Sequence, residues 1–213
     1  MTILRVDASI QGDNSASSAL ADLVLDQFKA ARPDVPVVTR HVGQNPLPAD
    51  AWATAVFAGF TPEEDRTQAQ REALELAQTI AGELQQADSA VLALPLYNYG
   101  VSQHAKMWID LAIAGSAPAA RLLDGKPVVL VTTRGGSYGP GSPREGWDHN
   151  VDYLRRILVD IWGADLKVVE REFTLVGVNP ALDKFTDVAA EMHEAAKQEA
   201  ANAADALAER YAA

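Results

Sequence analysis

Short runs of apolar residues alternate along this chain with longer stretches in which apolar residues recur every three or four positions. The short runs are Ile3–Asp7 (Ile3, Leu4, Val6), residues 35–41 (Val37, Val38), 89–95 (Val91, Leu92, Leu94), Pro127–Thr133 and 166–173, and each predicts a β-strand. Runs this continuous, 89–95 above all, suit parallel strands covered on both faces. The helical stretches carry Leu20, Leu23, Val24 and Phe28; Leu74, Ala77, Ala81 and Leu84 within 67–86; Trp108, Leu111 and Ala112 within 102–114; and Val151, Leu154, Leu158 and Ile161 within 148–162. Arg32-Pro33 stops the first helix, and the Ala-rich residues 183–211 predict a long last one.

Strand and helix therefore alternate from end to end. That order predicts a single α/β domain over residues 1–213, a doubly wound five-stranded parallel sheet of order 2-1-3-4-5 with helices on both faces. One connection is unusual. Residues 43–62 hold Pro46, Pro48, Trp52, Phe57, Gly59 and Phe60, too apolar for a solvated loop. A short helix over 51–58 and a role as interface or pocket wall are expected there.

Composition narrows the chemistry. With no cysteine in the chain, disulfides, thiolate metal sites and thiol redox reactions are excluded, so redox work requires a bound cofactor. His41, His104, His149 and His193 form no HxxxH or HExxH pair, and no metal site is expected. A formal net charge of −11 argues against nucleic acid and against a polybasic membrane contact. No apolar run approaches the roughly 20 residues that span a bilayer. The first strand is expected to start at Thr2 or Ile3, so no leader and a cytoplasmic location are expected.

Open α/β sheets bind ligands beyond the carboxyl ends of their strands, at the point where strand order reverses. Three loops there have unusual composition. After strand 1 come Ser9 and then Ser15, Ser17 and Ser18 crowding the start of a helix, a place suited to phosphate as well as to simple capping. Asp7 and Asp13 oppose an anion in that loop. After strand 3 comes Pro95-Leu96-Tyr97-Asn98-Tyr99-Gly100, whose aromatic faces and amide suit a flat heteroaromatic ring, or else a turn that closes the core. After strand 4 comes Thr133-Arg134-Gly135-Gly136-Ser137-Tyr138-Gly139, where glycines let a ligand approach the backbone and Arg134 can stabilise negative charge. A plain glycine turn is the other reading.

Other α/β sites fit less well. GxGxxG and GxxxxGK[ST] are absent, and Asp7 alone does not make the acidic cluster of a receiver domain. Residues 135–139 match GxSxG, but Pro140, Gly141 and Pro143 follow where a nucleophile elbow needs a helix.

On these residues the chain resembles the FMN-dependent NADH-azoreductases, also called FMN-dependent NADH:quinone oxidoreductases. The likeness runs nearly end to end. It is carried by Ser9 with Ser15-Ala16-Ser17, by Pro95-Leu96-Tyr97-Asn98-Tyr99, by Lys106 with Asp110-Leu111, and by Thr133-Arg134-Gly135-Gly136. The resemblance implies a flavodoxin-like fold. It implies that Ser9, Ser15, Ala16 and Ser17 hold the FMN phosphate, that Leu96, Tyr97, Asn98 and Tyr99 wrap the isoalloxazine, and that Thr133, Arg134, Gly135 and Gly136 hold its pyrimidine edge. It also implies a homodimer in which 43–62 reaches over the partner's site. NADH would be the donor and a quinone or an aromatic azo compound the acceptor, in a ping-pong cycle. A flavodoxin-type electron carrier without NADH turnover is the alternative. No catalytic residue is assigned; Tyr97, Asn98 and His104 stand near enough to matter. The likeness departs at 115–125, which is short and lacks the aromatic residues usual there, at Gly100, and at Asp7, where some members have a basic residue.

Overall fold

The computed structural model describes residues 1–211. In chain order its elements are β1 (Ile3–Asp7), α1 (Ala16–Ala31), β2 (Val37–His41), α2 (Ala51–Gly59), α3 (Gln68–Gln86) and β3 (Ser89–Ala93). There follow a small hairpin of β4 (Leu96–Tyr97) and β5 (Gly100–Val101), then α4 (Gln103–Ala114), β6 (Pro127–Thr133), α5 (Val151–Arg155), β7 (Asp165–Arg171) and α6 (Thr186–Arg210). Five strands form a parallel sheet of order β2-β1-β3-β6-β7, which is the expected 2-1-3-4-5 arrangement once the hairpin strands are set aside.

Alternation along the strands divides the core in two. Leu4, Val6, Leu92, Leu94, Val128 and Leu130 face a cluster built with α3, α4 and α5. Ile3, Val91, Ala93, Val129, Val131 and Val169 face α1 and α6. The α6 face is mostly alanine, with Ala196, Ala200, Ala203 and Ala204 buried, so this helix lies close to its neighbours. Gly115 ends α4 against α3 so closely that a Cβ there would stand 2.0 Å from the Ala77 carbonyl oxygen.

Caps fix the helix starts. Ser15, Thr67 and Ser102 each accept a backbone N–H of the first turn of α1, α3 and α4, and Gln70 completes a capping box with Thr67. The helix expected from residue 148 begins at Val151, because the Asp148 carboxylate is used to accept the N–H groups of Asn150 and Val151. After Arg155 the chain runs through a π-helical turn, Arg156–Ile161. The last helix begins at Thr186, after a 3-10 turn over Pro180–Phe185.

Candidate functional site

The carboxyl ends of β1, β3 and β6 open into one cavity of about 430 Å³. That size lies in the ~300–1,000 Å³ range of small-molecule sites. Ser9, Ser15, Ala16, Ser17, Leu96, Tyr97, Asn98, Thr133, Gly135 and Gly136 all line it, so the three loops read from the sequence meet at one place. Tyr99 and Arg134 do not line it.

The serine end is organised by hydrogen bonds. The Ser15 hydroxyl oxygen accepts the Ser18 N–H at 3.1 Å and lies 3.2 Å from the Ser17 hydroxyl. The first N–H groups of a helix have no intrahelical acceptor and carry partial positive charge. Those of Ala16 and Ser17 belong to residues that line the cavity. Asp7 does not oppose an anion here as its position in the sequence suggested. Its buried carboxylate accepts from Arg5 Nε at 2.6 Å and from the Ser18 hydroxyl at 2.6 Å, and it does not line the cavity. Asp22 also pairs with Arg5. Burial opposes the Arg5 charge, but hydrogen bonds and fields from Asp7 and Asp22 outweigh it and raise the arginine pKa.

The second loop is the β4–β5 hairpin. Asn98 and Tyr99 are its two turn residues, with φ of 48° and 69°. Positive φ at both positions is the type I′ pattern that matches strand twist, and a tyrosine there costs roughly 1–2 kcal/mol. Three contacts hold the hairpin. The Tyr97 hydroxyl lies 3.1 Å from Ser9 Oγ and accepts the Ile10 N–H at 3.2 Å, which joins it to the first loop. The Tyr99 carbonyl accepts the His149 N–H at 2.9 Å, which joins it to the third. The Tyr99 ring packs edge-on to Trp147 at 5.6 Å and to Tyr138 at 6.3 Å.

The third loop corrects one expectation and adds to another. First, the Arg134 guanidinium is turned away from the cavity. It pairs with Asp148 at 2.5 Å and with Glu170 at 2.6 Å, with Glu172 at 3.9 Å, and its side chain is 7% exposed. Burial works against that charge, but Glu170 and Asp148 more than offset it and raise its pKa. Arg134 is therefore the anchor of the loop and is not free to stabilise charge on a ligand. Second, the two glycines also make room for side chains of this chain. A Cβ on Gly135 would stand 2.6 Å from Leu175 Cδ1, and one on Gly136 would stand 2.6 Å from Arg144 Nη1. Ser137 donates its hydroxyl to Glu172 at 2.8 Å, and no helix follows until Val151, so the GxSxG string does not form a nucleophile elbow.

Several lining residues were given no role from the sequence. Gln11 and Asn14 belong to the first loop, Tyr138 and Arg144 to the third, and Thr174, Leu175 and Val178 to the segment after β7. That last segment stands at a fifth strand's carboxyl end, which the switch-point argument could have included. Trp52, Phe57 and Phe60 do not line the cavity; α2 packs its alanines inward and leaves these rings 45%, 65% and 83% exposed.

Residues 1–209 match the family described as flavodoxin-like fold. The FMN-dependent NADH:quinone oxidoreductase of Frankia alni is 41% identical over 191 residues, covering 87% of this chain and 90% of that protein. The protein of the same name from Streptomyces avermitilis is 34% identical, covering 100% of this chain and 99% of its own. Among solved structures, an azoreductase from Bacillus anthracis str. Sterne aligns with a TM-score of 0.78 at 23% identity, covering 96% of this chain and 98% of that one. An FMN-dependent NADH-azoreductase from Bacillus anthracis str. Ames Ancestor, solved with FMN, aligns with a TM-score of 0.77 at 19% identity, covering 98% of this chain and all of that one. Both structural likenesses establish the flavodoxin-like fold.

Proposed function

This chain belongs to the flavodoxin-like family of FMN-dependent NADH:quinone oxidoreductases, and from that premise we propose that its cavity holds FMN and that the protein carries electrons from NADH to a quinone. The observation that carries the reading is the meeting of three loops at one cavity, serines and a helix start at one end, Tyr97, Asn98 and paired glycines at the other. The donor set fits a phosphorylated heteroaromatic ring. No carboxylate is among the described lining residues, so nothing there repels a phosphate at Ser15, Ala16 and Ser17. Leu96, Tyr97, Asn98, Thr133, Gly135 and Gly136 would border the ring, with amide and backbone groups as donors.

Bound there, FMN supplies reversible two-electron chemistry that no side chain of a cysteine-free protein offers. The balance of the whole reaction is one hydride from NADH and one proton from solvent delivered to one quinone, giving NAD and the hydroquinone. The protein orients both partners against the ring and keeps water from one side of it. Aromatic azo compounds are a second acceptor class, in line with the azoreductase structures of the same fold. The exposed Trp52, Phe57 and Phe60 support a homodimer in which a second copy covers α2. Among the described residues no helix is long and apolar enough to cross a membrane, in keeping with a cytoplasmic enzyme.

The test is direct. The FMN-loaded protein should oxidise NADH in the presence of benzoquinone, with parallel double-reciprocal plots as donor and acceptor are varied. A flavin-loaded protein that passes electrons onward without oxidising NADH would be a carrier, and the reading would fall. A second prediction concerns the serine end. Replacing Ser15 and Ser17 together by alanine removes two hydroxyls from an anion, each worth about 1.5–3 kcal/mol, so FMN affinity should drop on the order of a hundredfold or more. Riboflavin, which lacks the phosphate, should lose little beyond the effect of a missing cap. Equal losses for the two ligands, measured by fluorescence quenching, would remove the phosphate from this end.

A further inference from the structure

Asn150 is fully buried, yet it neither lines the cavity nor caps α5 with its side chain. It stands where β3 and β6 part. Beyond the paired residues Ala93 and Val131, the Leu94 N–H still reaches the Val131 carbonyl, at 2.9 Å. The Leu94 carbonyl then accepts the Asn150 side-chain amide at 3.3 Å, and the same Nδ2 donates to Thr132 Oγ1 at 3.1 Å. The next residue on each chain segment, Pro95 and Thr133, lines the cavity. One amide thus spans the gap from which the cavity opens. Its Oδ1 meets no donor among the described residues. An unmet buried acceptor is costly, which points to the two N–H groups, and not to filling, as the reason for an asparagine here. The residues just before it act in the same direction. Asp148 pairs with Arg134 of the third loop at 2.5 Å and accepts the Asn150 N–H at 2.7 Å. The His149 N–H donates to the Tyr99 carbonyl of the hairpin at 2.9 Å. Residues 148–150 therefore tie the second loop to the third, and the Asn150 side chain is the buried end of the tie.

We propose that Asn150 is a positioning residue for the flavin: its amide sets the spacing of the second and third loops, and with it the hold on the ring and the midpoint potential. The inference rests on the FMN reading above and goes beyond it by giving a role to a residue outside the cavity lining. Reduction adds electrons to the ring, and donors fixed at short range stabilise that charge more than donors free to drift. A looser spacing therefore weakens the binding of both forms of the flavin, and of the reduced form more.

The experiment measures the dissociation constants of FMN and riboflavin by fluorescence quenching, and the midpoint potential of bound FMN by redox titration. It uses the unaltered chain, Asn150→Asp, Asn150→Leu and Thr132→Val. Asn150→Asp keeps the shape and removes the amide hydrogens, Asn150→Leu removes all polarity, and Thr132→Val removes one of the two acceptors. Both Asn150 variants should bind oxidised FMN about tenfold more weakly, the scale of one net hydrogen bond. Riboflavin should lose as much, because the two loops border the ring and not the phosphate. Reduced FMN should lose about tenfold more than oxidised FMN, which lowers the potential by about 30 mV for a two-electron couple. Thr132→Val should show the same pattern at about threefold. Thermal midpoints of the flavin-free proteins separate this role from simple packing. A lowered midpoint with affinity and potential unchanged overturns the proposal. So does a loss confined to FMN, or one equal for oxidised and reduced flavin. If neither Asn150 variant folds, Thr132→Val decides by the same measurements. An unaltered chain that binds no flavin removes the FMN reading, and this inference with it. An unaltered chain that binds flavin, beside variants that match it, removes this inference alone.

Discussion

Replacing Arg134 by alanine should destabilise the protein by about 3 kcal/mol and loosen the cavity proposed to hold FMN, although the side chain does not line it. The guanidinium is shared by Asp148, Glu170 and Glu172, and removing it leaves Asp148 and Glu172, with side chains 14% and 13% exposed, close together without their counter-charge. Breaking a buried pair from one side costs about 3–5 kcal/mol, and the 39% exposure of the Glu170 side chain places this case at the lower end. The same carboxylates hold the loop. Glu172 accepts from the Ser137 hydroxyl and, at 2.9 Å, from the Tyr138 N–H, while Asp148 caps the start of α5. Mutual repulsion of the acids would therefore move Gly135, Gly136 and Tyr138, all of which line the cavity. Urea unfolding should show a lower midpoint at unchanged slope, and FMN should bind at least tenfold more weakly, roughly the effect of one lost hydrogen bond to a charged group. A midpoint within about 0.5 kcal/mol of the unaltered protein would mean that the network is not what holds the loop.

Gly43→Ala should cost a similar amount for a different reason. The chain leaving β2 crosses the end of β1, where the Val42 and Gly43 N–H groups both donate to the Asp7 carbonyl, at 2.8 and 3.2 Å. A Cβ on residue 43 would stand 2.1 Å from the Ser9 carbonyl oxygen, 2.6 Å from the Ser9 carbonyl carbon and 2.8 Å from that of Ala8. These are backbone atoms, and no rotamer change relieves them. Either Ser9 moves into the cavity, or the 42–45 turn lifts off β1. Overpacking of this severity belongs at about 3 kcal/mol or above. Because Ser9 carries the contact to Tyr97, the first and second loops should separate together. The checks are the thermal midpoint and the FMN dissociation constant. A normal midpoint with FMN affinity within twofold would show that the strand ends can part without harm.

The framework was legible because the central strands β3 and β6 are mostly apolar and each long helix has one apolar stripe, so burial on two faces or one is written in the period. The β4–β5 hairpin was not, since strands of two residues are too short to have a period. The three loops could be chosen from composition, and they do converge. What composition could not give is the side of a loop on which a long side chain lies. Arg134 and Arg144 occupy the same loop, and the one in the motif points away while the other lines the cavity. A signal for Arg134 did exist. Glu170 and Glu172 sit two apart, hence on one side of an extended segment, where an otherwise half-buried strand gives acids a reason to need a cation.

Asp7 illustrates a different kind of constraint. It stands under the serine end of the cavity, yet its charge is consumed by Arg5 two positions earlier and by the Ser18 hydroxyl. Arg5 and Asp7 act as one unit. A lineage that exchanged Asp7 for lysine alone would set two cations side by side under a sheet end, and one that lost Arg5 alone would strand a carboxylate away from water. A substitution at either position is therefore expected to need a compensating change at the other.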